Sequence, residues 1–206
     1  MRYSYLLLIF IWFGCETKIE TPIVVELHND WDFKNISDSL WHDAIIPGNV
    51  HSDLLKHNLI EHPFILNNEH DTQWVSETDW EYKTTFNVEK KTLQKNNIIL
   101  NFEGLDTYAS VFVNDSLLLN TNNAFREFQV DVKSILTDIN TLKIVFENTT
   151  KHEENYKKQL NYLLPEGNRI FTRKAQFQYG WDWGPKINTS GIWRPIKLIA
   201  WSDTKI

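Results

Sequence analysis

The chain has 206 residues, of which 42% are hydrophobic and 14% aromatic, and its formal net charge is -6 at pH 7. The length suits one ordinary domain with a leader, and the apolar share is enough for a hydrophobic core, which excludes a wholly disordered chain. The acidic balance, without a basic stripe, argues against a nucleic-acid-binding surface.

The N-terminal segment differs in character from the rest of the chain. Arg2 precedes an apolar run over residues 5–13, which is too short to span a bilayer and has the length of a signal-peptide core. Cys15, the only cysteine, follows this run and resembles the lipidated cysteine of a bacterial lipoprotein. We therefore predict a signal peptide over residues 1–15, a lipid anchor on Cys15 and a polar tether over 16–23. Export to the periplasm or the cell surface follows, with an ordinary cleaved leader or an uncleaved anchor as alternatives.

Residues 24–206 are predicted to form one domain that is built mainly of short strands. In the segment 80–86 every second side chain, beginning with Trp80, is aromatic or a threonine, which is typical of a half-buried strand. Asn114 and Asp115 lie between two apolar runs and predict a tight hairpin, because both tolerate positive φ. Further short runs are predicted as strands: 97–102, 109–113, 116–121, 125–132, 142–146 and 192–201.

Helical periodicity is sparse. It predicts a short helix over 51–57 and a longer one over 151–164, which Pro165 ends. The apolar side chains of the longer segment fall on one helical face: Tyr156, Leu160, Leu163 and Leu164. Many short strands with few helices indicate an all-β fold, a sandwich or jelly roll, rather than a doubly wound α/β fold.

The least ordinary segment is 173–185, in which Asp182 lies between Trp181 and Trp183. Flanking glycines and a closing proline disfavour a central strand, so we predict an ordered loop. A pyranose has an apolar face and a rim of hydroxyls, which aromatic planes and a carboxylate can bind. On composition alone, a structural corner with both rings in the core is the more frequent arrangement.

This segment, together with 189–196, resembles the end of the N-terminal domain of β-mannosidases of glycoside hydrolase family 2. The similarity covers roughly residues 24–201, and its blocks stand in the family's order. The further matching blocks are Trp41, 46–54, 63–64, 68–69, 74–75, 80–82, 102–109, 113–114 and 123–126.

The resemblance implies a galactose-binding-like jelly roll that packs against a separate catalytic barrel. In the family the matching loop reaches the pocket for the terminal mannose of a β-mannoside or manno-oligosaccharide. Asp182 is thus expected to contact sugar hydroxyls, with Trp181 and Trp183 as the pocket wall. Arg173 is expected to orient Asp182 or to meet the sugar, and a structural ion pair is an equal alternative.

The resemblance also implies that this chain is inactive alone. Retaining glycosidases need two carboxyls about 5 to 5.5 Å apart, and in this family both come from a (β/α)8 barrel. Such a barrel takes about 250 residues, so we expect it elsewhere, in cis or in trans. Glu69, in an Asn-Glu pair like that of the family's acid/base, is predicted to be structural, and Asp106 is predicted to be a turn residue.

No metal or other cofactor is predicted, because the seven histidines lack the His-x-x-x-His spacing of a zinc helix. Two alternatives remain open. One is a stand-alone surface lipoprotein that binds glycans without cleaving them. The other is the same domain of a β-galactosidase or β-glucuronidase relative, although the Trp-Asp-Trp-Gly-Pro block favours a mannosidase.

Overall fold

A computed structural model describes residues 21–162, 164–165 and 167–203. The predicted signal peptide and Cys15, most of the tether, and Leu163 lie outside the described residues. Within those three described ranges, no helix is long and apolar enough to cross a membrane.

The described chain forms two antiparallel sheets around one hydrophobic core, which confirms the predicted all-β sandwich. The strands are β1 Ile23–Glu26, β2 Trp31–Asn35, β3 His42–Ala44, β4 Trp80–Asn87, β5 Asn97–Phe102, β6 Tyr108–Val113, β7 Ser116–Asn122, β8 Phe128–Asp131, β9 Ile139–Phe146 and β10 Ile196–Trp201. One sheet has the order β1-β10-β5-β8, and the other has the order β3-β2-β4-β9-β6-β7.

The alternation predicted for β4 is present in the sheet. Trp80, Tyr82, Thr84 and Phe86 are buried, whereas the side chains between them are half-buried or exposed. Phe33 of β2 stacks on Tyr82 with a centroid distance of 5.7 Å. Burial of each such large side chain stabilises the fold by about 1.5–3 kcal/mol. The buried side chains of β2 and β4 therefore contribute strongly to the stability of the larger sheet.

The predicted hairpin is also present, with Asn114 at φ 48° and Asp115 at φ 64°. Two predicted strands are shorter than expected. β8 begins only at Phe128, and β10 begins only after Pro195, whose missing amide hydrogen cannot extend the ladder. Strands β1, β2 and β3 were not predicted, because three to five residues carry too little periodicity to be recognised.

Short helices connect the strands: α1 Val50–Lys56, α2 Asn68–Asp71, α3 Lys90–Leu93 and α4 Thr149–Lys158, with 3-10 turns at Gln73–Glu77, Gly167–Phe171 and Gln176–Tyr179. Helix α1 matches its prediction and is capped by Asn49, whose side chain accepts the amide of Ser52.

The predicted extent of the longer helix, to Pro165, is wrong. Asn148 caps the start of α4, and the helix buries Thr149 and Glu153 rather than the apolar set. At its end the helix changes to a 3-10 turn, in which an amide bonds to the carbonyl three residues earlier. The amide of Leu160, for example, donates to the carbonyl of Lys157. Many helices end in this way.

The stretch 189–192 is fitted closely between the start of α1 and the segment just before β6. Gly191 exchanges two backbone hydrogen bonds with Asp106, of 2.9 and 3.0 Å. Gly191 has φ +154°, and a Cβ there would lie 2.7 Å from the Cα of Asn49 and 2.8 Å from the carbonyl oxygen of Gly48. Only glycine fits this position without displacing backbone.

Helix α1 also buries two titratable groups. Burial, aided by the nearby charge of Lys174, lowers the pKa of His51 to about 4, and His51 Nδ1 has no hydrogen-bond partner in the structure. Burial raises the pKa of Asp53 to about 6, against the hydrogen bonds that it accepts from the Ile45 amide and the Tyr82 hydroxyl.

We expect Gly191→Ala to lower the free energy of unfolding by about 2 kcal/mol or more, because the methyl group meets backbone atoms at a strained φ. Gly184→Ala is the control, since the nearest atom to its Cβ would be 3.8 Å away. That control should stay within about 1 kcal/mol of the parent protein. Urea titration measures both, and equal losses would contradict the explanation.

We expect His51→Met to remove a pH dependence of stability. The folded protein keeps His51 neutral down to about pH 4, whereas the unfolded chain protonates it near pH 6.5. Acidification from pH 7 to pH 4 therefore favours unfolding of the parent, by about 3 kcal/mol relative to the variant.

Below pH 4 that difference becomes constant. Asp53 contributes with the opposite sign, since its stabilising effect is lost as pH rises through 6, but it is present in both proteins and cancels in the comparison. Denaturation at a series of pH values gives the two curves. Parallel curves would refute the assignment.

Candidate functional site

The loop 173–185 belongs to the long connection between β9 and β10. It does not join either sheet, as predicted for an ordered loop. Trp181 N–H donates to Gly184 O at 2.9 Å, and Gly184 N–H donates to Trp181 O at 3.1 Å. This tight turn, entered through Gly180 at φ 85°, presents Asp182 and Trp183 at its tip.

The side chains at this tip face solvent. Trp181 is 55% exposed and Trp183 is 86% exposed, and Asp182 is also exposed. The two rings therefore do not fill the core, unlike in the structural corner that composition alone favoured. An exposed carboxylate beside an exposed ring is available to a ligand.

An open depression of about 510 Å³ lies beside the turn. Its lining consists of Glu69, Arg169, Tyr179, Gly180, Trp181, Asp182, Gly184 and Lys186. The structure thus brings Trp181 and Asp182 together, whereas Trp183 and Arg173 are not among the described residues that line the depression. Arg173 is exposed, and its backbone carbonyl accepts the amide of Ala124 at 2.8 Å.

Glu69 of α2 also lines the depression. Its Oε1 accepts the backbone amide of Lys186 at 2.6 Å, and the side-chain amide of Gln73 donates to the carbonyls of both Glu69 and Lys186 at 2.8 Å. Glu69 therefore has the structural role that the sequence predicted, and it also lines the candidate site. Sequence spacing gave no signal for this, since 117 positions separate the two bonded residues.

Two contacts hold the aromatic part of the lining. The guanidinium of Arg169 lies 5.5 Å from the ring centroid of Trp181, within cation–π range. The hydroxyl of Tyr179 donates to the buried carboxylate of Glu153 in α4. Burial raises the pKa of the Glu153 carboxyl, and burial together with Glu153 raises the pKa of Tyr179, so the phenol stays protonated and donates.

A buried ion pair lies behind the loop. The side chain of Lys174 is 0% exposed, and its Nζ is 3.3 Å from Oδ1 of Asp106 and donates to the carbonyl of Thr189 at 2.6 Å. Burial lowers the pKa of Lys174, and the neighbouring Asp106 opposes that shift. Asp106 is thus buried and paired with Lys174. The prediction of a turn residue did not include this pairing, because the partner lies far along the chain.

The depression offers hydrogen-bonding and aromatic chemistry. A carboxylate accepts hydroxyl groups, cationic side chains donate to hydroxyl oxygens, and the Trp181 ring covers an apolar face. In the part of the chain that the structure describes, no group of three or more histidine, cysteine or acidic side chains could hold a metal ion.

Comparison with known proteins gives the family. A family model described as glycosyl hydrolase 2 galactose-binding domain-like matches residues 31–194. The β-mannosidase of Mus musculus is 31% identical over 209 aligned positions, which cover 96% of this chain and 24% of that protein. β-Mannosidase B of Thermothelomyces thermophilus is 35% identical, with 85% of this chain and 22% of that protein covered.

Solved structures agree with the family that the sequence comparisons give. The crystal structure of β-D-mannosidase from Dictyoglomus thermophilum matches with a TM-score of 0.87 and 38% identity, over 89% of this chain and 23% of that one. A β-D-glucuronidase of the same organism has a TM-score of 0.55 at 18% identity, which shows the fold alone.

The chain spans about a quarter of the length of the β-mannosidases that it matches. The family match covers most of the sandwich, including the loop with Asp182. The chain therefore belongs to the glycosyl hydrolase 2 galactose-binding domain-like family and corresponds to the N-terminal domain of β-mannosidases.

Proposed function

We propose that this chain is the non-catalytic, sugar-contacting domain of an enzyme that hydrolyses terminal, non-reducing β-D-mannose in β-mannosides. Asp182 accepts hydroxyls of that mannose, and Trp181 lies against the sugar's apolar face. The observation that carries the proposal is the position of Asp182, which is exposed at the tip of a tight turn and lines a depression with an aromatic wall.

The geometry of the depression supports a shared pocket. Its volume of about 510 Å³ lies within the usual range for small-molecule sites, but it is open to solvent on one side. A ligand held on one side only keeps much of its surface in water, so its affinity for this chain alone is expected to be weak. A second surface must close the pocket.

That second surface is, in this proposal, a catalytic barrel that supplies the two carboxyls of a retaining glycosidase, about 5 to 5.5 Å apart. It is joined in cis or binds in trans. Large apolar side chains are exposed both in the loop and in the segment just before α2: Phe64, Leu66, Phe177 and Trp183, of which Leu66 is 93% exposed. A docked domain would remove them from water.

The choice of mannoside over other sugars rests on the relatives. Those with 31–38% identity are named β-mannosidases. The β-glucuronidase is only 18% identical, so its similarity supports a shared fold but gives no information about the substrate. A stand-alone glycan-binding protein remains the second candidate, because the depression lies within this one chain.

We also propose that the protein is exported and anchored in a membrane through lipid on Cys15. Support comes from the sequence: Arg2, the apolar run 5–13 and a single cysteine directly after it. A single lipid group gives limited membrane affinity, so stable anchoring of the protein requires more than one acyl chain at this cysteine.

We expect Asp182→Ala to weaken binding of methyl β-D-mannoside about 10- to 100-fold, because a hydrogen bond to a charged group contributes about 1.5–3 kcal/mol. NMR titration at millimolar sugar suits a weak site. Asp138→Ala is the matched control. Its carboxylate is also exposed, and Asp138 is not among the residues that line the depression. Its backbone carbonyl accepts the amide of Val88, next to the end of the β4–β9 pair at which Asn87 lies opposite Ile139.

Unchanged affinity in Asp182→Ala would refute the role of Asp182. Methyl β-D-galactoside and methyl β-D-glucuronide, titrated in parallel, should bind more weakly than the mannoside. Micromolar binding by the chain alone would instead favour the stand-alone candidate, because a half-open site does not reach that affinity.

For the anchor, we expect mass spectrometry of the exported protein to find the mature chain beginning at a lipid-modified Cys15. Cys15→Ser removes the sole thiol of the chain, so the variant should lose the modification and leave the membrane fraction. An unmodified Cys15 in the membrane-bound parent, or a mature N-terminus elsewhere, would contradict the proposal.

A further inference from the structure

Three segments that are distant in sequence meet at one buried point behind the candidate site. The side chains of Lys174 and Asp106 are 0% and 7% exposed, and they form an ion pair of 3.3 Å. Lys174 also donates to the carbonyl of Thr189, and the hydroxyl of Thr107 donates to Asp106. The pair therefore joins the start of the loop to the stretch that follows it.

Gln178 connects this ion pair to Thr189, and we call the contacts among Lys174, Asp106, Gln178 and Thr189 the clasp. The side-chain amide of Gln178 donates to Oδ2 of Asp106 at 2.8 Å, and its Oε1 accepts the backbone amide of Thr189 at 3.1 Å. The hydroxyl of Thr189 bonds in turn to Asn49, the cap of α1. Gln178 and Thr189 are the two ends of the stretch that carries Asp182. Gln178 bonds to the buried carboxylate directly, Thr189 is linked to it through Lys174, and the two ends bond to each other.

We propose that Lys174, Asp106 and Gln178 are positioning residues that fix where Asp182 lies in the depression. The inference rests on the proposed function in so far as Asp182 contacts a sugar. None of the three lines the depression, so they act through the backbone of the loop.

The physical reason lies in the directionality of the contacts. Apolar packing is non-directional, and apolar side chains of similar shape often replace a buried ion pair without loss of stability. An ammonium group with three donors and a carboxylate with two oxygens, by contrast, fix their partners at defined places. The pair is thus replaceable as a source of stability but not as a device for placing the loop.

This difference provides the test. The double variant Lys174→Met/Asp106→Leu removes both charges, keeps the side-chain shapes and leaves no unpaired buried charge, unlike either single variant. Gln178→Leu opens the clasp and leaves the ion pair intact. Gln129→Leu, which changes an exposed side chain of β8, is the control.

Amide hydrogen exchange reports the loop separately from the fold. The amides of Trp181 and Gly184 form the two hydrogen bonds of the turn that carries Asp182. The amide of Leu100, by contrast, lies in the middle of β5, which is flanked by β10 and β8. We expect the double variant and Gln178→Leu to exchange at least tenfold faster at Trp181 and Gly184, with Leu100 as protected as in the parent. The Gln129→Leu control should match the parent at every site.

Binding of methyl β-D-mannoside is measured on the same proteins. Loss of positioning should weaken it about tenfold in the double variant and in Gln178→Leu. Parent-like exchange at Trp181 and Gly184 in both variants would overturn the inference, as would faster exchange with unchanged affinity. If the double variant does not fold, Gln178→Leu alone decides.

If the parent itself binds no mannoside, the proposed function fails while the exchange data still decide whether these residues order the loop. If the parent binds and the variants exchange like the parent, the positioning fails and the proposed function stands.

Discussion

A single buried ammonium group sets the arrangement of this end of the molecule. Lys174 is fully enclosed, and an unpaired charge there would cost several kcal/mol, so it must lie against a carboxylate and further acceptors. Asp106 and the carbonyl of Thr189 meet that need. The segment before β6, the start of the loop and the approach to β10 consequently come together, and the close fit at Gly191 lies in the same place.

With its ends held in this way, the loop can expose side chains that a freely moving segment would bury. Trp183 and Trp181 are largely in solvent, and each would lower its free energy by packing elsewhere. The tight turn between Trp181 and Gly184, and the Arg169 guanidinium over the ring, oppose that collapse. Rigid strands with a function-bearing loop at one end are a common division of labour in β-sandwiches.

Local patterns predicted what depends on neighbours in sequence. The alternation in β4 and the hairpin at Asn114 follow from period and backbone preference, and the matched blocks identified the fold and the loop with Asp182. The rest of the site depends on partners far apart. Glu69 reaches Lys186, and Lys174 reaches Asp106, through a topology that no local pattern encodes. The same separation explains why no local pattern indicated that Asp106 pairs with Lys174.

The charges around the depression bear on which sugar it suits. Glu69 and Asp182 contribute two formal negative charges, and Arg169 and Lys186 contribute two positive ones, so the four cancel. A neutral sugar can form hydrogen bonds with all four charged side chains, since each hydroxyl can both donate to a carboxylate and accept from a cationic group. The two carboxylates would repel an anionic sugar, and that repulsion would offset the attraction of the two cations. Within the proposed function, this balance of charge supports a neutral pyranose such as mannose over a glucuronide.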